Sequence, residues 1–482
     1  MTLANQPLSG PATLIRRLRL EDLSAAQRRA LLERAPVAGR DIRSTVRGII
    51  DEVHRGGDDA LRAVNARLGG GLPRHRGKAP LTVAPLILRA AFAEASEELR
   101  TALETMVAHI ERFHEAQVPE RIDWVDTAPG IRVGRAWRAL DRVGIYVPGG
   151  EAAYPSSLLM TVIPARLAGV REIALASPAA RDGSLSPALL AAASLLGVEE
   201  FYVMGGAQAI AALAYGTETI RPVDKIVGPG NAWVTAAKLE VFGVVGIDLP
   251  AGPSEAMVLA DASADPALVA ADLLSQAEHG SDSAAVLVTT SPRLADGVEV
   301  ELARQLERLP RQEFLRRSLG TAGLILETDH LEEALEFAND YAPEHLSIVT
   351  EDPRAAFELV RHAGSVFLGR YAPESAGDYA TGSNHVLPTG RLARAYGPLS
   401  VEAFGKFVQV QELTEDGLSR IRRSVAVVAE AEGLSAHRRA VEIRFPPPAE
   451  AVRPPARPAR QRPGEPSGAR PRRVPKGGRD GR

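Results

Sequence analysis

Between about residues 170 and 350, short apolar runs of strand length alternate with segments of helical period, and this alternation constrains the fold more than any other feature. Glu172–Ser177 reads as a strand, Pro187–Leu196 as a helix, Glu200–Met204 as a strand and Ala207–Tyr215 as a helix. A second series runs from a strand at Ala256–Ala260 through a helix at Pro266–Glu278 to strands at Ala284–Thr289 and Gly323–Glu327. It continues with a helix at Leu331–Asp340 and a strand at Leu346–Val349. Strands separated by helices are not hairpins; they pair in parallel, with the helices as crossovers covering the sheet. The expected architecture is α/β, with two doubly wound Rossmann-like domains and smaller, mostly helical N- and C-terminal pieces. The expected boundaries are a helical region at 1–120, a first α/β domain at 121–255, a second at 256–390 and a helical C-terminal region at 391–445.

Residues 446–482 differ in composition. They are rich in Pro, Arg and Gly, lack apolar periodicity, and carry ten Lys or Arg against Glu450, Glu465 and Asp480. A basic, disordered tail is expected there, read as a solvated extension without a dedicated partner. The whole chain has a formal charge of −3, so nothing in its bulk electrostatics points to nucleic acid.

Cysteine is absent. That excludes disulfides, thiolate metal ligands, iron–sulfur clusters and a cysteine nucleophile, and leaves His, carboxylate or amide groups as metal ligands. The N-terminal segment lacks a signal-peptide core, and no run of about 18 apolar residues appears. A cytoplasmic protein without a membrane partner is expected.

Four polar clusters stand out. Leu274–Gly280 ends a helix begun by Asp265 and Pro266, as N-cap and first-turn residue, with Gly280 as the stop. Gln276 and His279, at i and i+3, then share the last turn, where the helix dipole favours a cation. Tyr341–Leu346 follows a helix whose start reads as a capping box, Asp329 to Glu332, and Pro343 ends that helix. Adjacent Glu344 and His345 offer two bases, although in an extended strand they would point to opposite faces, so joint action needs an irregular backbone. Pro373–Tyr379 with Gly382–Pro388 presents Asp378 and His385 in what reads as an irregular loop. Glu432 and His437 flank a kink between a stop at Gly433 and a new N-cap at Ser435. No G-x-G-x-x-G fingerprint follows a strand, but the turns Pro148–Gly150 and Gly228–Gly230 would let backbone approach a phosphate.

The segments Tyr146–Gly150, Gly205–Ile210, Gly228–Asn231, Pro250–Glu255, Leu273–His279, Ala342–His345, Glu374–Asp378 and Asn384–Pro388, closed by Glu432 and His437, occur in the order expected of histidinol dehydrogenase. The chain resembles that family from roughly Leu14 to Arg444. The resemblance implies one zinc held by Gln276, His279, Asp378 and His437. It also implies substrate contacts from Ser254, Gln276, His279, His345, Asp378, Glu432, His437 and His385, with Glu344 and His345 as catalytic bases. Tyr146, Gln208 and Asn231 are implied as NAD contacts, so that the first α/β domain would carry NAD and the second most of the metal and catalytic groups. The implied activity is a four-electron, NAD-dependent oxidation of L-histidinol through the aldehyde to L-histidine, the last steps of histidine biosynthesis. The absence of cysteine fits a hydrated aldehyde, because the thioester route from aldehyde to acid is closed. The resemblance further implies a homodimer in which the segment bearing Glu432 and His437 completes the partner's site. Three other readings stand beside it: oxidation of another polyol, a zinc hydrolase with Glu344 as base, and RNA binding through the basic tail after Pro446.

Overall fold

The computed structural model describes residues 14–33, 39–73, 78–149 and 154–445. Gly150 and the tail at 446–482, for which disorder was expected, lie outside the described residues. Among those described, the strands are β1 (Arg16–Arg19), β2 (Ile122–Ala128), β3 (Ile131–Ala139), β4 (Arg142–Tyr146), β5 (Glu172–Ser177), β6 (Glu200–Val203), β7 (Lys225–Val227) and β8 (Gly246–Ile247). They continue with β9 (Glu255–Ala260), β10 (Ala284–Thr289), β11 (Leu324–Glu327), β12 (His345–Val349), β13 (Ser365–Leu368) and β14 (Gly405–Leu413). No described helix is long and apolar enough to cross a membrane.

The chain divides into two units, Met1–Asp123 with Arg135–Gln409 and Trp124–Gly134 with Val410–Arg482. The first holds two parallel sheets, as the alternating pattern predicts. One is five-stranded, in order β6-β5-β4-β7-β8, and the other six-stranded, in order β1-β11-β10-β9-β12-β13. Both are doubly wound: the chain moves outward from a central strand, then crosses back to its other side, giving switch points between β4 and β7 and between β9 and β12. The central strands β4, β9 and β12 are buried along their whole length, which is why Ala256–Ala260 reads as a continuous apolar run rather than an alternating one. Each sheet is covered on both faces by apolar clusters, Val143 to Phe201 and Leu61 to Val234 on the first, Val258 to Leu319 and Met257 to Leu346 on the second.

The N-terminal region is helical over Ala25–Leu32, Arg40–Leu68, Pro85–Glu94 and Glu97–Glu115, but it also supplies β1, which pairs in parallel with β11 at the edge of the second sheet. Sequence periodicity missed this strand because it is short and charged, an edge strand carrying half-buried Arg16 and Arg17 and exposed Arg19. Arg17 donates to Glu327 at 2.6 Å, tying the edge to its neighbour. The expected capping box at Asp329 does not form: His330 is the N-cap and makes no side-chain cap, while Asp329 accepts from Arg19 at 3.0 Å. Asp265, by contrast, caps its helix through Ala267 N, as expected.

At the amino end of the five-stranded sheet, buried Arg142 donates to both oxygens of Glu200, at 2.9 and 2.5 Å, and Tyr202 donates to the same carboxylate at 2.7 Å. The bond from Arg142 leads in holding the Glu200 carboxyl down at about 2, against 4.5 for the free side chain. A depressed carboxyl contributes stability that is present above its unfolded pKa and lost as pH falls through its folded value. Glu200 is therefore expected to contribute about 2 kcal/mol, discounted for partial exposure, that disappears between pH 4.5 and 2. Urea unfolding across that window should show a shallower pH slope for Glu200→Gln than for wild type; equal slopes would refute the assignment.

In the second unit, Thr414 caps the helix Glu415–Ala431 through Gly417 N, and its own N–H donates to Gly130 O at 2.9 Å. Gly433, at φ +75°, stops that helix as anticipated. The next helix, Ser435–Glu442, has Leu434 rather than Ser435 at its N-cap position.

Candidate active site

The chemistry-bearing residues of the second sheet gather at its amino-terminal edge. Glu255 opens β9 and His345 opens β12, which pair in parallel with His345 opposite Ala256. The helix Pro266–Ala277 runs from the carboxyl end of β9 back to this edge and delivers Gln276 and His279 there. The helix Leu331–Tyr341 does the same for Glu344, which sits at a bend after Ala342, at φ +51°, and Pro343. That bend supplies the irregular backbone that joint action of Glu344 and His345 requires. Because this edge receives helix C-termini, its backbone field is negative and suits a cation. Most open α/β sheets place ligands at the carboxyl edge, where helix N-termini favour anions.

Asp378 does not lie in an irregular loop, as its Gly and Ser neighbours suggested, but on a short helix, Glu374–Tyr379. Helical spacing puts Glu374 and Asp378 on one face, four residues apart. Gly377 is admitted there because a Cβ would meet the Phe367 ring. Asp378 lies centrally: its carboxylate is 4.0 Å from His279 Nε2, 3.8 Å from His345 Nε2 and 3.9 Å from His385 Nδ1. Glu374 Oε1 is 3.6 Å and Glu344 Oε2 3.8 Å from His345 Nδ1. Ser254 directly precedes Glu255 at the same edge.

Two residues of this cluster escaped sequence reasoning. Glu374 was visible as a carboxylate at i−4 from Asp378, had the segment been read as helix. Glu255 left no local signal; its backbone N–H donates to Glu344 Oε2 at 2.9 Å, and its carbonyl faces His345 Nδ1 at 3.3 Å.

That carbonyl can only accept, so Nδ1 carries the hydrogen and Nε2 presents its lone pair. Nε2 is buried and has no hydrogen-bond partner, and burial pushes the ring down to about 3, so the imidazole is neutral. Burial likewise lowers His385 to about 4. Glu344 is raised well above the usual carboxylate range by burial, reinforced by the neighbouring Glu255, Glu374 and Asp378, and Glu374 by burial and then Asp378. Burial also raises Asp378 to about 6. Uncompensated carboxylates crowded in this way call for positive charge.

Donor atoms of His279, Glu374 and Asp378 lie within 4.8 Å of one another, close enough to share one metal ion. Gln276 is fully buried with neither amide atom hydrogen-bonded, an orphaned polar group that a metal would satisfy. The residues present therefore fit a nitrogen- and oxygen-bound divalent cation.

The expected NAD contacts lie at the opposite kind of edge, the carboxyl end of the five-stranded sheet. Tyr146 ends β4, Gln208 lies in the first turn of the helix Gly206–Tyr215 after β6, and Asn231 follows β7 and caps the helix Ala232–Val241. All three have internal polar partners: the Tyr146 hydroxyl accepts from Gly206 N at 3.2 Å, Gln208 Nε2 donates to Asn65 at 3.1 Å, and Asn231 Oδ1 accepts from Trp233 N and Val234 N. The helix Pro155–Leu167, which follows β4, joins this edge to the other site. Ser157, in its first turn, has its hydroxyl 2.9 Å from His385 Nε2. Asn384 reinforces the join by donating to Met160 O at 2.6 Å. Glu432 and His437 are carried by the second unit, both exposed.

A profile of histidinol dehydrogenase matches residues 32–445. The histidinol dehydrogenase of Methanothermobacter thermautotrophicus is 47% identical over 413 residues, 84% of this chain and 94% of that protein. That of Bacillus subtilis is 45% identical over 432 residues, 89% and 99% of the two chains. The crystal structure of histidinol dehydrogenase from Elizabethkingia anophelis, 37% identical, superposes with a TM-score of 0.85 over 90% of this chain and 99% of that one. With the matched profile, the shared sequence and the shared fold all spanning most of its length, the chain belongs to the histidinol dehydrogenase family, oxidoreductases of histidine biosynthesis.

Proposed function

We propose that the chain oxidises L-histidinol to L-histidine in two NAD-dependent steps at a zinc site, and that His345 and Glu344 move the protons. The observation that carries this reading is His345 Nε2, a neutral, buried ring nitrogen whose lone pair is unclaimed, beside the cation-seeking group at Asp378. In this reading Gln276, His279, Asp378 and His437 hold the zinc. Zinc, when bound, supplies a fixed positive charge and a template for the substrate's amine and imidazole. NAD, when bound at Tyr146, Gln208 and Asn231, supplies the hydride acceptor for each oxidation.

The protein's own share is proton transfer and orientation. His345 Nε2 takes the carbinol hydroxyl proton as the first hydride leaves, giving the aldehyde. Glu344, made more basic by burial, accepts a proton from the water that adds to the aldehyde carbon, and the hydrate loses the second hydride to become the acid. Ser254, His385 and Glu432 contact the substrate. The division of labour follows the two sheets, with NAD at 121–255 and most of the metal and catalytic groups at 256–390. The Ser157–His385 contact supports it, since it joins the edge rich in helix N-termini to the edge rich in helix C-termini.

We also propose a homodimer in which Glu432 and His437 complete the partner's site. A ligand left exposed to water is a poor one, and the same unit exposes Val427, Val428, Leu434 and Ile443. A cytoplasmic location fits a cysteine-free biosynthetic enzyme that uses NAD.

The purified protein is expected to bind one zinc per chain and to yield two NADH per histidinol consumed, as four-electron chemistry requires. Metal analysis and NADH stoichiometry check this. A single NADH per substrate, or turnover of another polyol but not histidinol, would overturn the reading.

A further inference from the structure

The turn between β7 and the helix Ala232–Val241 is held by a buried ion pair to which the mechanism gives no role. Lys238, on that helix, and Asp248, just after β8, have side chains only 3% and 1% exposed and form an ion pair with each other. Lys238 Nζ also donates to Gly228 O at 3.0 Å and to Leu249 O at 3.2 Å, while Asp248 Oδ2 accepts from Gly228 N at 2.7 Å. The pair thus grips the Gly228 residue by both its N–H and its carbonyl. Gly228 stands at φ +123°, and a Cβ there would run into the Tyr146 carbonyl, so the turn is pressed directly onto the end of β4. This is the switch point of the five-stranded sheet, with Asn231 three residues on.

We infer that Lys238 and Asp248 are positioning residues for NAD, a neutral ionic clamp that sets the Gly228–Asn231 turn for the dinucleotide. The inference rests on the proposed placement of NAD at Tyr146, Gln208 and Asn231. Lys238 Nζ donates to the Gly228 and Leu249 carbonyls and its charge is matched by Asp248 at ion-pair distance, so the ammonium is already engaged inside the protein and is not held out to a phosphate. Lys238 therefore acts through the turn and not as a ligand. Nor is stability a sufficient reason for the pair, because apolar residues of similar volume commonly replace a buried ion pair at no cost. What they cannot reproduce is the directed grip on both polar groups of one glycine.

The test is calorimetric titration of the zinc-loaded protein with NAD and, separately, with histidinol. The double variant Lys238→Met with Asp248→Leu removes both charges together and is expected to fold. Its NAD dissociation constant should rise on the order of tenfold to a hundredfold, while that for histidinol changes less than about threefold. Should this variant not fold, Lys238→Gln with Asp248→Asn, a neutral amide pair of similar shape, is read in the same way. Asn231→Ala serves as the control for the site. If Asn231→Ala weakens NAD and the clamp variant does not, the clamp has no positioning role. If neither weakens NAD, the dinucleotide does not use this turn and both readings fall. Equal weakening of NAD and histidinol would mark the pair as general scaffolding and also overturn the inference.

Discussion

Glu344→Gln is expected to stop the reaction at the aldehyde, cutting the second oxidation by about 10²- to 10⁴-fold, the usual worth of a positioned general base. The first oxidation should survive within about tenfold, because in the proposed mechanism His345 and not Glu344 takes that proton. Glutamine is close to isosteric, and its carbonyl oxygen can still accept from Glu255 N, the bond that Glu344 Oε2 makes at 2.9 Å, so the fold should persist. What the amide loses is the capacity to accept a proton from water. In the same reading His345→Ala should suppress the first oxidation by a comparable factor, since no other buried nitrogen with a free lone pair stands beside Asp378 among the described residues. The measurement is single-turnover NADH formation with the aldehyde trapped chemically: Glu344→Gln should yield one NADH per site and accumulate aldehyde. Two NADH at the wild-type rate, or equal loss of both steps, would remove Glu344 from its role.

Mixing two inactive variants is expected to restore activity. His345→Ala removes the proposed base and His437→Ala the proposed partner-borne ligand, so each homodimer should be dead. When the two are unfolded and refolded together in equal amounts, random pairing makes half the dimers mixed, and each mixed dimer contains one site with both histidines intact. Recovery of about a quarter of the wild-type activity per chain follows from that two-fold arithmetic. The basis is that His437 lies exposed on a helix of the second unit, while the cation-seeking cluster of His279, Glu374 and Asp378 belongs to the first. No recovery, with mixed dimers verified by mass, would mean that each site is built from a single chain.

Much of this site was legible in the residues because it is built at the ends of regular elements. Gln276 and His279 are found by the helix that Asp265 and Pro266 begin, and Glu344 and His345 by the helix that Pro343 terminates. Cap and stop residues act locally, over three or four positions, so a single sequence displays them. Asp329 shows where such reasoning fails: its spacing to Glu332 is that of a capping box, yet a bond to Arg19, distant in the chain, takes the carboxylate instead. Glu374 was missed for the complementary reason, because glycine and serine hid a helix that packing of Gly377 on Phe367 makes possible.

The residues alone determined the chemical alphabet and the architecture. A chain without cysteine has only nitrogen and oxygen ligands to offer, and strands that alternate with helices build parallel sheets because the crossovers leave no other pairing. Tertiary structure alone decided at which edge of each sheet the candidate residues gather, and so which sign of backbone field surrounds them. It also decided that the Glu255 carbonyl fixes the tautomer of His345 and that a lysine and an aspartate grip one glycine. Those outcomes depend on which strand lies beside which, a choice made by burial of whole faces and invisible to spacing along one segment.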